Sequence, residues 1–194
     1  MKQTSEQTKR DQLLRAALEL FAANGLNVPT AKVAAAAGVA NGTLFNYFPT
    51  KQDLIDALYL DIKREFTGLL QDSAVHPGED FRAASLAIWK SFVAWALANP
   101  LKHQVMNLLL NGQALSEKAR NESEGMAQPF KKHLEAAIKR SEFAKELTVE
   151  DLMEVKGALA TTCIASAMER KLKGKPLEKH IALVFEVYWR GVVR

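Results

Sequence analysis

The stretch "AAAAGVANGTLFNYFPTK", Ala34 to Lys51, restricts the fold more than any other part of the chain. Glycine at 38 and proline at 49 bracket a segment that can hold only short helices, because Gly38 follows Val33 and Ala37 closely and a proline disfavours helical geometry in the residue before it. The spacing predicts one short helix ending near Ala37 and a second from about Asn41 to Phe48. Four consecutive alanines suit a place where one helix lies close to another. Val39, Leu44 and Phe48 are expected to point inward, the last two being spaced i, i+4. Upstream, Leu14, Ala17, Leu18 and Phe21 line one face of a longer helix, which Asn24-Gly25 stops. Pro29-Thr30 reads as the next helix start, with Thr30 as N-cap. Thr50 to Asp53 resembles a capping box that opens a fourth helix carrying Leu54, Leu58 and Ile62. A long helix followed by two short ones joined at a glycine is a helix-turn-helix.

That arrangement leaves Asn41, Gly42, Thr43, Phe45, Asn46 and Tyr47 outward or at the edge. No carboxylate occurs from Leu20 to Gln52, while Lys32 and Lys51 do. Such a face suits a DNA major groove. Asparagine pairs with an adenine edge, threonine bonds a base or a phosphate, and an aromatic ring rests on a thymine methyl. Tyr47 and Lys51 have the reach for phosphates, and a helix N-terminus adds its positive dipole end. An ordinary helical hairpin in a core is the plain alternative; cap, turn and acid gap together favour DNA. For Phe45 alone, packing and DNA contact stand about even. The net charge of +4 and pI of about 9.1 are compatible with a polyanion but weak alone, and two lysines imply few ion pairs with DNA.

The remainder reads helical, so the fold class is all-α. Hydrophobic residues make up 48%, enough for a sizeable core. "DSAVHPGED", from Asp72, is a turn-rich linker. Phe81, Ile88, Phe92 and Trp95 share a face before Asn99-Pro100, and Val105 to Leu110 form a short apolar helix. Ser116 to Arg140 is charged and interrupted at Gly125 and Pro129. Thr148 and Asp151 suggest a cap for a long helix to about Leu172, ended by Gly174 and Pro176. The last helix carries Ile181, Val184, Phe185 and Tyr188 on one face. The division expected is residues 1–50 for the DNA-binding domain, 51–70 for a connecting helix and 71–194 for an effector-binding and dimerisation domain.

The sole cysteine, Cys163, forms no internal disulfide and fits a reducing compartment. The polar N-terminus lacks a signal-peptide core and no apolar run is long enough to span a bilayer, so the expectation is a cytoplasmic protein without a membrane partner. His76, His103, His133 and His180 are scattered, and neither metal-ligand spacing nor a nucleophile or phosphate-loop motif is present. The expectation is therefore no catalytic residue, metal or cofactor. The rival reading is an enzyme, or a helical small-molecule-binding module, without a DNA function.

The segments "LLRAALELFAANG" and "PTAKVAAAAGVANGTLFNYFPTKQDL" resemble the tetracycline-repressor (TetR) family of bacterial transcription regulators over about the first 60 residues. The resemblance implies a repressor that binds a palindromic operator in double-stranded DNA as a homodimer and is released by a small molecule. It implies phosphate contact for Thr30, base or backbone contact for Asn41, Gly42 and Thr43, base reading for Asn46, and backbone clamping for Tyr47 and Lys51. Ala40 stands where the family often has a serine cap; Asn41 is the alternative cap. Phe45 replaces the usual tyrosine, which leaves it apolar contact only.

In the larger domain Trp89, Phe92, Trp95 and Met106 are pocket candidates, although each individually is better read as core. Together their rings point to an apolar or aromatic effector. His103 is a further candidate, although a solvent-facing position is favoured, and Cys163 is better read as a buried structural thiol than as a sensor. Leu152, Val155, Leu159, Ile181, Val184, Phe185, Tyr188 and Trp189 are candidates for a dimer seam, some of which must serve the chain's own core.

Overall fold

The structure is a computed structural model that describes residues 2–71, 80–140, 143–144 and 146–193. The expected linker from Asp72 and His76 lie outside the described residues except for Asp80, and the side chain of His133 lies outside them too. The described residues form nine α-helices: α1 (Lys2–Asn24), α2 (Thr30–Ala36), α3 (Asn41–Tyr47), α4 (Lys51–Gln71), α5 (Phe81–Ala98), α6 (Pro100–Asn111), α7 (Glu117–Lys139), α8 (Val149–Glu169) and α9 (Gly174–Val192). Among the described residues there is no strand, only an isolated bridge between Phe143 and Val193. No described helix is long and apolar enough to cross a membrane.

Punctuation follows local chemistry. Gly25 takes φ +72 just after α1, and its N–H bonds the Phe21 carbonyl. Gly38 takes φ +70, which lets the Val39 N–H return to the Ala34 carbonyl at 3.0 Å and closes α2 with a left-handed cap. Pro100 occupies the first turn of α6, where its missing N–H costs nothing. The predicted box at Thr50 forms, and the cap predicted at Thr148 is a box as well. The Thr50 N–H donates to Asp53 Oδ2 at 2.9 Å and the Asp53 N–H to Thr50 Oγ1 at 3.1 Å. Thr148 and Asp151 repeat the exchange at α8.

Three boundaries differ from expectation. Thr30 is the first helical residue of α2 and Pro29 its cap, because proline already fixes the extended entry. α7 runs unbroken through Gly125 and Pro129; the proline withdraws one N–H from the Gly125 carbonyl, and the turns on both sides carry the helix across. α8 stops at Glu169, while Gly174 and Pro176 lie in the first turn of α9 instead of ending α8.

The chain divides into two compact units that do not follow chain order: Met1–Glu65 with Asn99–Gly125, and Phe66–Ala98 with Met126–Arg194. In the first, α1 packs on α2 and α6, and α2 on α3. Leu13, Ala17, Phe21, Val33, Leu44 and Leu54 are its fully buried apolar side chains nearest the turn. The start of α4 is tied to the α6–α7 corner. Gln52 Nε2 donates to the Ala114 carbonyl at 2.8 Å, the Ser116 N–H donates to Asp56 Oδ1 at 3.1 Å, and Tyr59 and Ser123 share a buried bond at 3.1 Å. In the second unit α8 packs on α9 and α5. Its core is ring-rich: Trp89 stacks on Tyr188 at 6.0 Å and meets Phe185 edge-on at 5.7 Å.

Candidate nucleic-acid interface

The site is built on α3, which two side chains hold in place. Leu44 is fully buried and Phe48, its C-cap, is nearly so. Arg10 of α1 lies over the Phe48 ring at 5.9 Å. With that face pinned, helical geometry turns Asn41, Gly42, Phe45 and Asn46 to the exterior and leaves Thr43 and Tyr47 half-buried at its edge. Thr30 at the start of α2 and Lys51 at the start of α4 are also half-buried. Ala40 caps α3 with no side-chain bond, so Asn41 is already helical and its side chain is not spent on the cap. That settles the cap alternative in favour of Ala40.

Phe45 keeps 41% of its surface exposed. The ring is thus only partly packed within this chain. Gly42 is equally open: a Cβ built on it meets nothing within 4 Å. The face presents an aromatic ring, two asparagine amides and a bare stretch of backbone, with Lys32 exposed beside it and no carboxylate between Leu20 and Gln52.

The other candidates distribute differently. Trp89, Phe92, Trp95 and Cys163 belong to the second unit, and His103 and Met106 to the first. Trp89 lies in the ring cluster with Phe185 and Tyr188, whereas Phe92 and Trp95 surround Phe66 at 5.0 and 5.5 Å. The buried stripe of α5 runs through Ser85, Trp89, Val93 and Ala96, so Ile88 and Phe92 sit at its margin. The indole N–H of Trp89 is buried and has no hydrogen-bond partner among the described residues.

His103 is buried, not solvent-facing: it lies on the inward face of α6 with Val105, Met106 and Leu109. Its Nε2 is 3.2 Å from Asn107 Nδ2, and burial pulls its pKa below the usual value. Cys163 is a free, buried thiol whose pKa burial pushes up, which opposes thiolate chemistry.

Of the seam candidates, Leu152, Ile181, Phe185 and Tyr188 are buried in their own unit, Leu159, Val184 and Trp189 are half-buried, and Val155 is exposed. The first four therefore serve intrachain packing. Reading periodicity found the apolar stripe of α9 but not its second apolar face, where Leu183 and Val187 keep 63% and 58% of their surface exposed. The signal was an i, i+4 apolar pair beside the main stripe.

A profile of bacterial regulatory proteins of the tetR family matches residues 13–58, from the second half of α1 to the first turns of α4. Residues 13–58 thus match the N-terminal domain of tetR family regulators. The chain is 39% identical over 66 residues to the HTH-type transcriptional regulator LuxR of Vibrio harveyi, and 31% identical over 82 residues to the fatty acid metabolism regulator protein of Bacillus subtilis strain 168. These matches cover 34% and 42% of this chain and span only 32% and 42% of those relatives. A solved structure from Shewanella sp. PV-4, assigned to tetR family transcription regulators, superposes with a TM-score of 0.85 at 25% identity over 96% of this chain and 98% of that one. A TetR family regulator from Marinobacter aquaeolei VT8 shares the fold at a TM-score of 0.86 and 20% identity over 100% and 99% of the two chains. TetR-type architecture thus extends well beyond the matched N-terminal segment.

Proposed function

We propose that this chain is a ligand-responsive transcription regulator, a repressor, that binds a palindromic operator as a homodimer and is released by a small molecule. The observation that carries the reading is the outward face of α3: an exposed Phe45 and the exposed amides of Asn41 and Asn46 on an acid-free helix pinned by Leu44 and Phe48. In this reading Asn46 reads a base, Phe45 makes apolar contact with a thymine methyl, and Thr30, Thr43, Tyr47 and Lys51 hold the phosphate backbone. Residues 1–50 do the reading, 51–70 connect, and 71–194 take the effector and the partner subunit. α6 and the first turns of α7 pack in the same compact unit as α3, and they support α4 in carrying the signal.

A homodimer is supported by the surface of the last two helices. Val155, Ala158, Thr162, Ala165 and Met168 form one exposed stripe on α8, at helical spacing. The Thr162 hydroxyl donates to the Ala158 carbonyl of its own helix, so its methyl is the group left for a partner. With Leu183 and Val187 of α9 these side chains suit a two-fold contact between copies. Two heads held about 34 Å apart would reach successive major grooves. An effector that changes that distance opposes DNA binding, with a coupling typically of about 1–3 kcal/mol. The buried, unpaired indole N–H of Trp89 favours an effector that carries an acceptor into the ring cluster.

The test is selection of bound fragments from random DNA, followed by binding to the selected site at several salt concentrations. Specific, salt-dependent retention of a two-fold symmetric site is expected. Indifference to all sequences at low salt would leave the helical-module or enzyme reading. Lys51→Ala should weaken binding to every sequence and flatten the salt dependence, whereas Asn46→Ala should relax discrimination at one base pair per half-site.

A further inference from the structure

α3 ends on Phe48, whose ring is buried against α1 and α4 side chains at 3% exposure. Arg10 of α1 is laid over that ring, its Cζ 5.9 Å from the centroid. The Arg10 side chain itself stays 28% exposed. Among the described residues its guanidinium makes no hydrogen bond, and its one ionic partner is Asp61 of α4, Nη1 to Oδ1 at 3.9 Å. That separation is the outer limit of an ion pair and beyond hydrogen-bond length, and Asp61 is 52% exposed.

A guanidinium carries five N–H donors in a planar fork. A ring face attracts the charge, and a solvated carboxylate at this distance fixes it weakly. Arg10 is therefore oriented by Phe48 while its donors remain unspent. Its place gives those donors a use. Tyr47 immediately precedes Phe48, with the two ring centroids 6.5 Å apart, and Lys51 opens α4 just after it. Tyr47 and Lys51 are the proposed holders of the phosphate backbone, and Arg10 brings a third such group, from a different helix, to the same end of α3. Arg10 lies outside the helix-turn-helix and before the stretch 13–58 that matches the family profile.

We propose that Arg10 is a further DNA-contacting residue: its guanidinium takes a backbone phosphate at the end of α3, and Asp61, which holds it in the free protein, gives it up when the phosphate arrives. The proposal rests on the reading that α3 docks on DNA, and it extends the contact surface to α1. Phosphate wins the exchange because it offers paired oxygens to the fork and lies in the field of a polyanion, whereas Asp61 meets Arg10 through one oxygen at the edge of contact.

The experiment is a fluorescence titration of the full chain with the selected operator and with an unrelated duplex, at several salt concentrations. The variants are Arg10→Met, which keeps an apolar stem on Phe48, Arg10→Lys, Asp61→Asn, and Arg10→Met combined with Asp61→Asn. Arg10→Met should weaken binding to both duplexes by a similar factor, roughly ten-fold at 0.1 M salt, and lower the slope of log affinity against log salt by about 0.9 for each Arg10 engaged. Arg10→Lys, which keeps the charge, should restore the slope. Asp61→Asn should tighten binding about two- to five-fold, the range a surface ion pair is worth, and should change nothing in the Arg10→Met background. A role confined to packing predicts the opposite: Asp61→Asn would weaken binding or leave it alone, and the salt slope would be the same in every variant. Either result overturns the proposal, as does a gain from Asp61→Asn that persists without Arg10. If Arg10→Met does not fold, the sign of the Asp61→Asn effect still decides, because that variant leaves Arg10 in place. A wild-type chain that ignores both duplexes at low salt sinks the DNA reading itself; a wild-type chain that binds, with an unchanged slope in Arg10→Met, sinks only the assignment of Arg10.

Discussion

Replacing Lys156 by methionine should make the protein more stable, against the usual direction of a core substitution. Burial lowers the Lys156 pKa from its ordinary 10.5 to about 7. At ~1.36 kcal/mol for each pKa unit, that drop of about 3.5 sets an upper bound of about 5 kcal/mol on the cost of keeping the ammonium charged in the fold. The Phe130 ring returns roughly 0.5–2 kcal/mol to the charged form, and the remaining solvent contact of the half-buried side chain reduces the cost further. A net gain of about 2–3 kcal/mol for Lys156→Met is left, or several degrees in Tm at about 2–4 °C per kcal/mol for a chain of this length.

The sign of the pH dependence is fixed by linkage. Between the folded value near 7 and the unfolded value of 10.5 the unfolded chain binds more protons, so wild-type stability rises with pH across that window. The penalty is complete below about pH 7 and is relieved as pH approaches 10.5. Urea denaturation of both proteins at pH 6.5, 8 and 9.5, at equal chain concentration, should therefore show Lys156→Met ahead by the full margin at pH 6.5 and by a much smaller one at pH 9.5. A less stable variant, or a margin that does not change with pH, would refute the argument that partial burial holds the Lys156 pKa down.

Gly42→Ala should leave the fold intact or stabilise it by up to about 1 kcal/mol, since the added methyl meets nothing within 4 Å, yet it should weaken operator binding if the α3 backbone approaches DNA closely; unchanged affinity in a fluorescence titration would remove Gly42 from the interface. Leu183→Glu with Val187→Glu should convert a dimer to a folded monomer by sedimentation with little loss of helix content, whereas a charge at the buried Phe185 should unfold the second unit instead; an intact dimer in the double variant would move the seam elsewhere. Asp56→Ala removes the acceptor for the half-buried Ser116 N–H and for Gln52, and should cost about 1–3 kcal/mol in denaturant unfolding; a cost near zero would show that the α4 clasp on the α6–α7 corner carries no stability.

Local rules were legible where the partners of a residue lie within a few positions of it. Gly25, Gly38 and both Thr–Asp boxes are four-residue problems in backbone geometry and hydrogen bonding, and all took the expected form. The pinning of α3 by Leu44 and Phe48 is an i, i+4 relation of the same kind. Pro129 shows where such rules give way. Its local effect is the loss of one hydrogen bond, and the continuity of a helix of 23 residues outweighs it. His103 failed for a related reason: a polar residue three positions after a proline reads as surface, but the inward face of α6 is set by Val105, Met106 and Leu109, and His103 lies on it.

The second unit was harder to read because its surfaces are chosen by packing between distant helices. α9 has apolar residues on more than one face, so periodicity alone could not say that Phe185 and Tyr188 turn to Trp89 while Leu183 and Val187 turn outward. Lys156 is the sharper case. A lysine in a helical pattern is ordinarily assigned to solvent, and its place on the stripe between Leu152 and Ala160 is visible only once those two residues are known to be buried. A position that violates the pattern at a stability cost marks a function more strongly than one that obeys it. The rings of Trp89, Phe92 and Trp95 carry no such mark, because packing with Phe66, Phe185 and Tyr188 accounts for them without any ligand.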